Sequence, residues 1–311
     1  MISRVHASSL IAVAAFLSLP FWTNSICMAQ KTLAWKFKPN AVTNVLFEQD
    51  TRMQMESADN TKLAANQVHS IQSTNISWIV KDVALDGLAS IEQMINRVQL
   101  DVKSSAGDFL IDTNNNQPLA GLGESMAKGV RPLAGTRFLV KTKSNGEVVD
   151  VMVPEEVSKK LRDATGPLGE AGLREIAING SLQFPSKPIE VGENWSSKYQ
   201  LDMPPFGKVN VNTTYQYLGE ENVGGKLFDR IKATTAVKLA DPSGSSGIKL
   251  KSQESSGVVW FDNVRGSIDH AEFKQDMTIN VVRPNTDKTK PGIDVKQIMN
   301  QTLKMTFTPQ S

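Results

Sequence analysis

Cysteine is nearly absent from this chain, and its one example, Cys27, lies in a telling place. The segment Asn24-Ser-Ile-Cys-Met-Ala-Gln30 follows Arg4 and the apolar stretch Leu10–Trp22. An apolar core of that length fits the ~7–15 residues of a secretory signal and falls short of the ~20 that a spanning helix needs. Cleavage after Ala29 puts the small residues Cys27 and Ala29 in the peptidase subsites and leaves Gln30 first. Lipidation at Cys27 is the alternative, but Asn24 and Ile26 fit the lipoprotein pattern less well. The expectation is a cleaved signal peptide over residues 1–29 and a periplasmic or secreted product. That product, without cysteine, has no thiol nucleophile, thiolate metal site or disulfide. It is long enough to bury a core unaided.

Other scarcities narrow the field further. Lys and Arg number 34 against 32 Asp and Glu, with no basic stripe, so nucleic acid is not an expected partner. No second long apolar run follows the first, so no integral membrane segment is expected after cleavage. Beyond the signal only His69 and His270 remain, far apart and each in an alternating segment, so no metal site and no cofactor are expected.

Alternation is what the chain has in abundance. Ile231, Ala233, Thr235, Val237 and Leu239 share one face of a strand, with Lys232, Thr234, Ala236 and Lys238 on the other. Val209 to Tyr217, Met277 to Val281 and Leu303 to Phe307 behave the same way, which predicts antiparallel strands with one wet face. Asn145-Gly146, Asp86-Gly87 and Gly224-Gly225 read as hairpin turns. The segments 241–247 and 283–292 read as surface loops. Helical patterns occupy Pro118–Gly135, where Leu119, Leu122, Met126 and Val130 make one face, then Pro154–Asp163 and Pro167–Ile178, closed by Gly180. Trp78 to Gly87 resembles Tyr215 to Gly224, and Gly107 to Asp112 resembles Gly257 to Asp262, a weak internal repeat.

The expected fold class is therefore α+β: mostly long antiparallel strands forming two curved sheets or one half-barrel. Its expected parts are a β-rich half over 31–153, a helical connector over 154–180 and a second β-rich half over 181–311.

The candidate chemistry is thin. Ser125-Met126-Ala127-Lys128 matches the nucleophile-and-base spacing of penicillin-binding enzymes, but the companion Lys-Thr-Gly is missing. Gly123-x-Ser125-x-Ala127 lacks the βαβ context of a nucleophile elbow, and the glycines at 166, 169 and 172 lack that of a phosphate loop. Glu48, Asp50, Asp112, Glu193, Asp262, Asp269 and Glu272 lie on or beside strands. A convergent pair would allow glycosidase-like hydrolysis, whereas the plain reading is solvent-face charge, with Asp112 and Asp262 capping turns. Val191-Gly192-Glu193-Asn194-Trp195 reads as a glycine turn entering a strand. Trp35, Trp78, Trp195 and Trp260 read as strand-borne rings of the core or of a ligand cavity.

These features together resemble a family of secreted bacterial proteins known only as domains of unknown function. The residues that carry the resemblance are Leu33-Ala-Trp-Lys-Phe37, Glu48-Gln-Asp-Thr-Arg-Met53-Gln-Met55, Trp78-Ile-Val with Gly87, Phe184-Pro through Pro188-Ile-x-Val191-Gly to Trp195, and Ser256-Gly257 with Phe261-Asp262. Asn40-Ala41 departs from it, where a glycine turn is expected. The resemblance implies an exported β-rich protein, no reaction and no catalytic residues. Three readings follow. The first is a non-catalytic binder of a lipid or other apolar or amphipathic ligand, built like an envelope lipid or lipoprotein carrier. The second is a structural or partner-binding envelope protein with a solid core. The third, a hydrolase with convergent acids, is the least supported.

Overall fold

A computed structural model describes residues 30–57, 66–115, 117–161, 170–179, 181–202, 207–240, 247–283 and 292–310. The expected signal peptide and most of the loop segments at 241–247 and 283–292 lie outside the described residues.

Among the described residues twelve strands follow in chain order: β1 (Val42–Ser57), β2 (Asn66–Val83), β3 (Ala89–Ser104), β4 (Phe109–Asp112), β5 (Arg137–Thr142), β6 (Val148–Met152), β7 (Asn194–Asp202), β8 (Lys208–Val223), β9 (Lys226–Leu239), β10 (Ile248–Asp262), β11 (Ser267–Arg283) and β12 (Ile293–Pro309). They form one antiparallel sheet in the order β6-β5-β3-β2-β1-β12-β11-β10-β9-β8-β7, with β4 beside β3. The expectation of two sheets is corrected: β1 pairs with β12 from Thr43↔Pro309 to Ser57↔Val295, so the first and last strands weld both halves into one sheet. The α+β label is also too generous, since strand dominates and helix is minor. The repeat does not carry through, because β4 is a short strand off the main path while its counterpart β10 is long.

All three sequence-level hairpins form, with turns between β2 and β3, β5 and β6, and β8 and β9. The helices are α1 (Gly121–Val130), which runs into a 3₁₀ turn (Arg131–Leu133), α2 (Glu155–Lys160) and α3 (Glu170–Asn179). On α1, Gly123, Ala127 and Val130 are the buried positions and Leu122 points to solvent, rotating the expected apolar face. Ala127, Val130, Leu133, Val157 and Leu161 pack on Val98, Leu100, Val102 and Ile111, so α1 and α2 fill the concave side above β3 and β4. Each such side chain taken from water contributes roughly 1.5–3 kcal/mol.

The sheet does not close: β6 and β7 are its two edges. Helix α3 touches both of them, spanning the gap. The strands are curled enough that residues of β2, β7, β10 and β12 share one core cluster. A half-barrel results, as the sequence reading allowed.

One end of this half-barrel is plugged. Lys31 bridges Ile189, Trp35 N–H donates to the Ser144 carbonyl (2.7 Å), and Lys36 N–H donates to the Gly266 carbonyl (2.9 Å). The returning segment lies beside it, with Phe184 N–H on the Asn145 carbonyl at 2.7 Å. Leu33, Trp35, Leu182, Phe184 and Ile189 are all buried there. Gly146 makes this approach possible. It has φ 87°, and a Cβ on it would lie 2.1 Å from the Leu182 carbonyl oxygen and 2.7 Å from Trp35 Nε1.

Candidate binding face

Successive strand side chains alternate between faces, and registered pairing carries that alternation across the sheet as rows. Five of them concern the concave face. One row in from Phe261, Phe307, Val45 and Ile76, Tyr217 opposes Ile231, Ile231 opposes Val259, and Ala271, Met305, Phe47 and Thr74 continue the row. The next runs from Trp195 and Tyr215 through Ala233, Gly257, Phe273 and Leu303 to Gln49 and Gln72.

The third row is polar without being charged. Ser197 opposes Thr213, which opposes Thr235. On the other side of the β9–β10 seam Ser255 opposes Gln275, Gln275 opposes Gln301, Gln301 opposes Thr51, and Thr51 opposes Ser70. The fourth row is apolar again: Gln253 leads to Met277, Met299, Met53 and Val68, three methionines on three adjacent strands. The fifth holds Ile279 and Met55 on either side of Gln297.

None of these inward positions carries Asp, Glu, Lys or Arg. The charges of the same strands, such as Glu48, Arg52, Lys198, Lys274 and Lys304, alternate onto the opposite face. Met53, Met277 and Met299 are half-buried and, among the described residues, belong to no packed core cluster. Burial pushes the Tyr199 and Tyr215 hydroxyls above the ordinary tyrosine range.

At the plugged end acids meet the inner side. Asp229 is 2% exposed. It accepts a hydrogen bond from Tyr217 Oη at 2.6 Å and pairs with Lys31 Nζ at 2.8 Å. Lys31 also pairs with Glu220. Burial works against the Lys31 ammonium, but its hydrogen bonds to Asp229 and Glu220 outweigh that and lift its pKa. Burial, then the Asp229 carboxylate, holds Tyr217 protonated far above the usual range. This cluster pins the segment around Lys31, where the Gln30 side-chain amide also donates to Glu190 at 3.0 Å.

Three of the four candidate tryptophans come together. Trp35 lies 6.4 Å from Trp78 and 5.6 Å from Phe261, ring centre to ring centre, and Trp195 stacks on Tyr215 at 5.5 Å. Trp35 Nε1 and Trp195 Nε1 donate to the carbonyls of Leu182 (3.0 Å) and Gln183 (2.7 Å). They form the aromatic floor of the concavity. Trp260 does not join them: Val259 and Phe261 take the inward positions of β10, so Trp260 lies on the convex face, stacked 4.3 Å from His270.

The remaining candidates lie away from that face. Ser125 and Lys128 are exposed on α1, and no hydrogen bond joins them among the described residues. Asp112 and Asp262 do cap turns, accepting from Asn114 N–H (3.0 Å) and Arg265 N–H (2.8 Å). Asp112 also receives a fork from Arg97, Asp50 accepts from His69, Glu193 pairs with Lys187 and Glu272 with Lys304. His270 contacts Asp269 at 3.0 Å. Among the described residues no three His, Cys, Asp or Glu side chains gather as a metal site would require. A cleft of about 540 Å³ opens at the plugged end between Leu33, Leu88, Lys143, Asn145 and Pro185, outside the concavity. No helix is long and apolar enough to cross a membrane among the described residues.

No family model matches the chain, and no curated protein does either. Its similarity is to solved structures. Lipovitellin, from a study of lipid–protein interactions, aligns at TM-score 0.44 and 13% identity over 89% of this chain, which spans about a quarter of that one, 26%. An exported protein from Bacteroides fragilis with a YmcC-like fold aligns at 0.31 and 10%, covering 86% of this chain and 98% of that one. An outer membrane channel from Pseudomonas putida aligns at 0.21 and 7%, covering 87% and 97%. At scores this low these likenesses fix neither fold nor function.

The residues that sequence reading missed are the glutamines and hydroxyls of the third row. Their signal was present, since Gln275 shares parity with Met277 and Gln301 with Leu303.

Proposed function

We propose that the protein is a non-catalytic, exported binder of an apolar or amphipathic ligand in the cell envelope, and that the ligand lies on the concave face of the sheet. The observation that carries this reading is the segregation of charge. Across the strands from β7 to β2 the five rows named above are uncharged, yet the methionine row is left only half-buried. Methionine is flexible and polarisable, suited to apolar partners of variable shape. A solid structural core would be packed with branched side chains in fixed rotamers.

Native mass spectrometry of the chain purified from its own membrane fraction tests the reading. A co-purifying lipid that is lost in Met299→Lys and kept in Thr302→Lys, on the opposite face, is the expected result. Lipid-free protein in every preparation counts against it.

A second reading, an envelope protein that docks another protein, is favoured by apolar turn tips at the plugged end. Leu85 and Val264 are 111% and 89% exposed. Leu85→Ser with Val264→Ser leaves the lipid mass unchanged if the concavity alone is the site. Loss of envelope association in that double variant, with no lipid in the parent, favours docking instead.

A further inference from the structure

The third row divides two apolar surfaces. On its plugged side stand Phe273 and Leu303, and on its open side Met277 and Met299. Rows are two residues apart, so about 7 Å separates the polar atoms from each apolar neighbour. Neighbouring strands are about 4.8 Å apart, so the row is a belt across the concavity. Part of it is internally satisfied: the Thr213 and Thr235 hydroxyls lie 3.0 Å apart, and Gln49 Nε2 donates to Thr51 Oγ1 at 3.1 Å. Part is not. Among the described residues the side chains of Gln275, Gln301, Ser255 and Ser70 have no hydrogen-bond partner, although all four are half-buried. Two adjacent primary amides in this uncharged strip keep hydrogen-bonding capacity that the rest of the protein leaves unused. Each presents two donors and an acceptor.

We propose that this belt seats the uncharged polar linkage of an acyl amphiphile, its ester or amide carbonyl and neighbouring hydroxyls, while the hydrocarbon runs over the methionine row toward the open end. The proposal rests on the apolar-binding reading above and adds a selectivity. A neutral carbonyl and hydroxyl can take the free amide donors and acceptors of Gln275 and Gln301. A carboxylate or phosphate would enter a strip with no cation to meet it, and an unpaired charge there is costly. The cations that flank the belt on these strands, Lys198, Lys274 and Lys304, lie on the other face. Lys31, the inward exception, is committed to Asp229 and Glu220.

The test uses the purified, delipidated chain loaded with N-phenylnaphthylamine, an uncharged apolar fluorophore, displaced by monoolein or by oleate. These two probes share one hydrocarbon and differ in the head. Monoolein is expected to displace the fluorophore at a concentration at least tenfold lower. Gln275→Leu with Gln301→Leu is expected to erase that gap while the fluorophore still binds. Thr51→Val, nearly isosteric, is expected to narrow it and guards against a misfolded double variant, with circular dichroism checking both. Equal displacement by the two probes, or a gap that survives the leucines, overturns the belt and leaves the apolar reading standing. Failure of the fluorophore to bind at all overturns both.

Discussion

The side chain of Gln253 on β10 pairs with the backbone of β9, opposite Val237: Oε1 accepts from Val237 N–H at 3.0 Å and Nε2 donates to the Thr235 carbonyl at 2.9 Å. The backbone ladder between these strands ends at Ser256↔Thr234, although both strands run on. A register shift between Leu250 and Ser252 lies just beyond. One amide therefore does the work of a missing ladder step at the seam that divides the concave face. Gln253→Leu keeps the volume and removes both bonds. The expected result is faster amide exchange at Val237 and along β9 toward Leu239, with little change at Ile231. Unchanged exchange at Val237 would show that the seam holds without Gln253.

The Arg97–Asp112 fork ties β4 to β3. Hydrogen bonding from Arg97, more than burial opposes it, lowers the Asp112 carboxyl to about 2. A depressed acid stabilises the fold above its unfolded value and loses that contribution as pH falls through the folded one. Asp112→Asn should therefore lower the urea midpoint at pH 7, and the difference from the parent should shrink as pH falls from about 4 to about 2. A constant difference across that range is the contrary outcome.

Lys31 and Asp229 form a pair in which one partner is wholly buried. Lys31→Met leaves Asp229 without its cation, and breaking such a pair costs about 3–5 kcal/mol. Adding Asp229→Asn should recover part of that loss, because the stranded charge is removed. The raised Lys31 pKa also sets a pH limit: the contribution is complete below the ordinary lysine value and is lost as pH climbs through the higher folded one. Thermal unfolding of the single and double variants, with the parent scanned into alkali, checks both statements.

Gly257 lies beneath Phe273. A Cβ there would stand 2.2 Å from Phe273 Cδ1 and 2.4 Å from the Glu272 carbonyl oxygen. Gly257→Ala should cost about 1–3 kcal/mol by overpacking. Because a backbone atom is half of the clash, Phe273→Ala should not restore stability to the Gly257→Ala protein. Full rescue would mean that the ring alone excludes a side chain.

Much of this architecture was legible in the residues. Period-two alternation found the long strands, and Asn145-Gly146 announced its hairpin because only positive φ and the lack of a Cβ let the turn meet Trp35 and Leu182. Helix positions were close, but Leu122 was placed inward, since a short helix has two plausible apolar stripes and only the packed sheet chooses between them. Trp260 was grouped with the other tryptophans. The run Val258-Val-Trp-Phe261 is apolar at every position, so parity is invisible until β10 is registered against β9 and β11.

By itself the sequence determined which side chains share a face of each strand, because that depends only on backbone geometry. It also determined that the sheet would have one wet face and one largely apolar face, because charge alternates to one side of each long strand. What it could not determine was how one strand's face lines up with the next. The belt of Gln275, Gln301 and Thr51 exists only through the registers of β11 with β12 and β12 with β1, partners far apart in the chain. Turn lengths, bulges and the β1–β12 closure fix those registers, and they are properties of the packed whole.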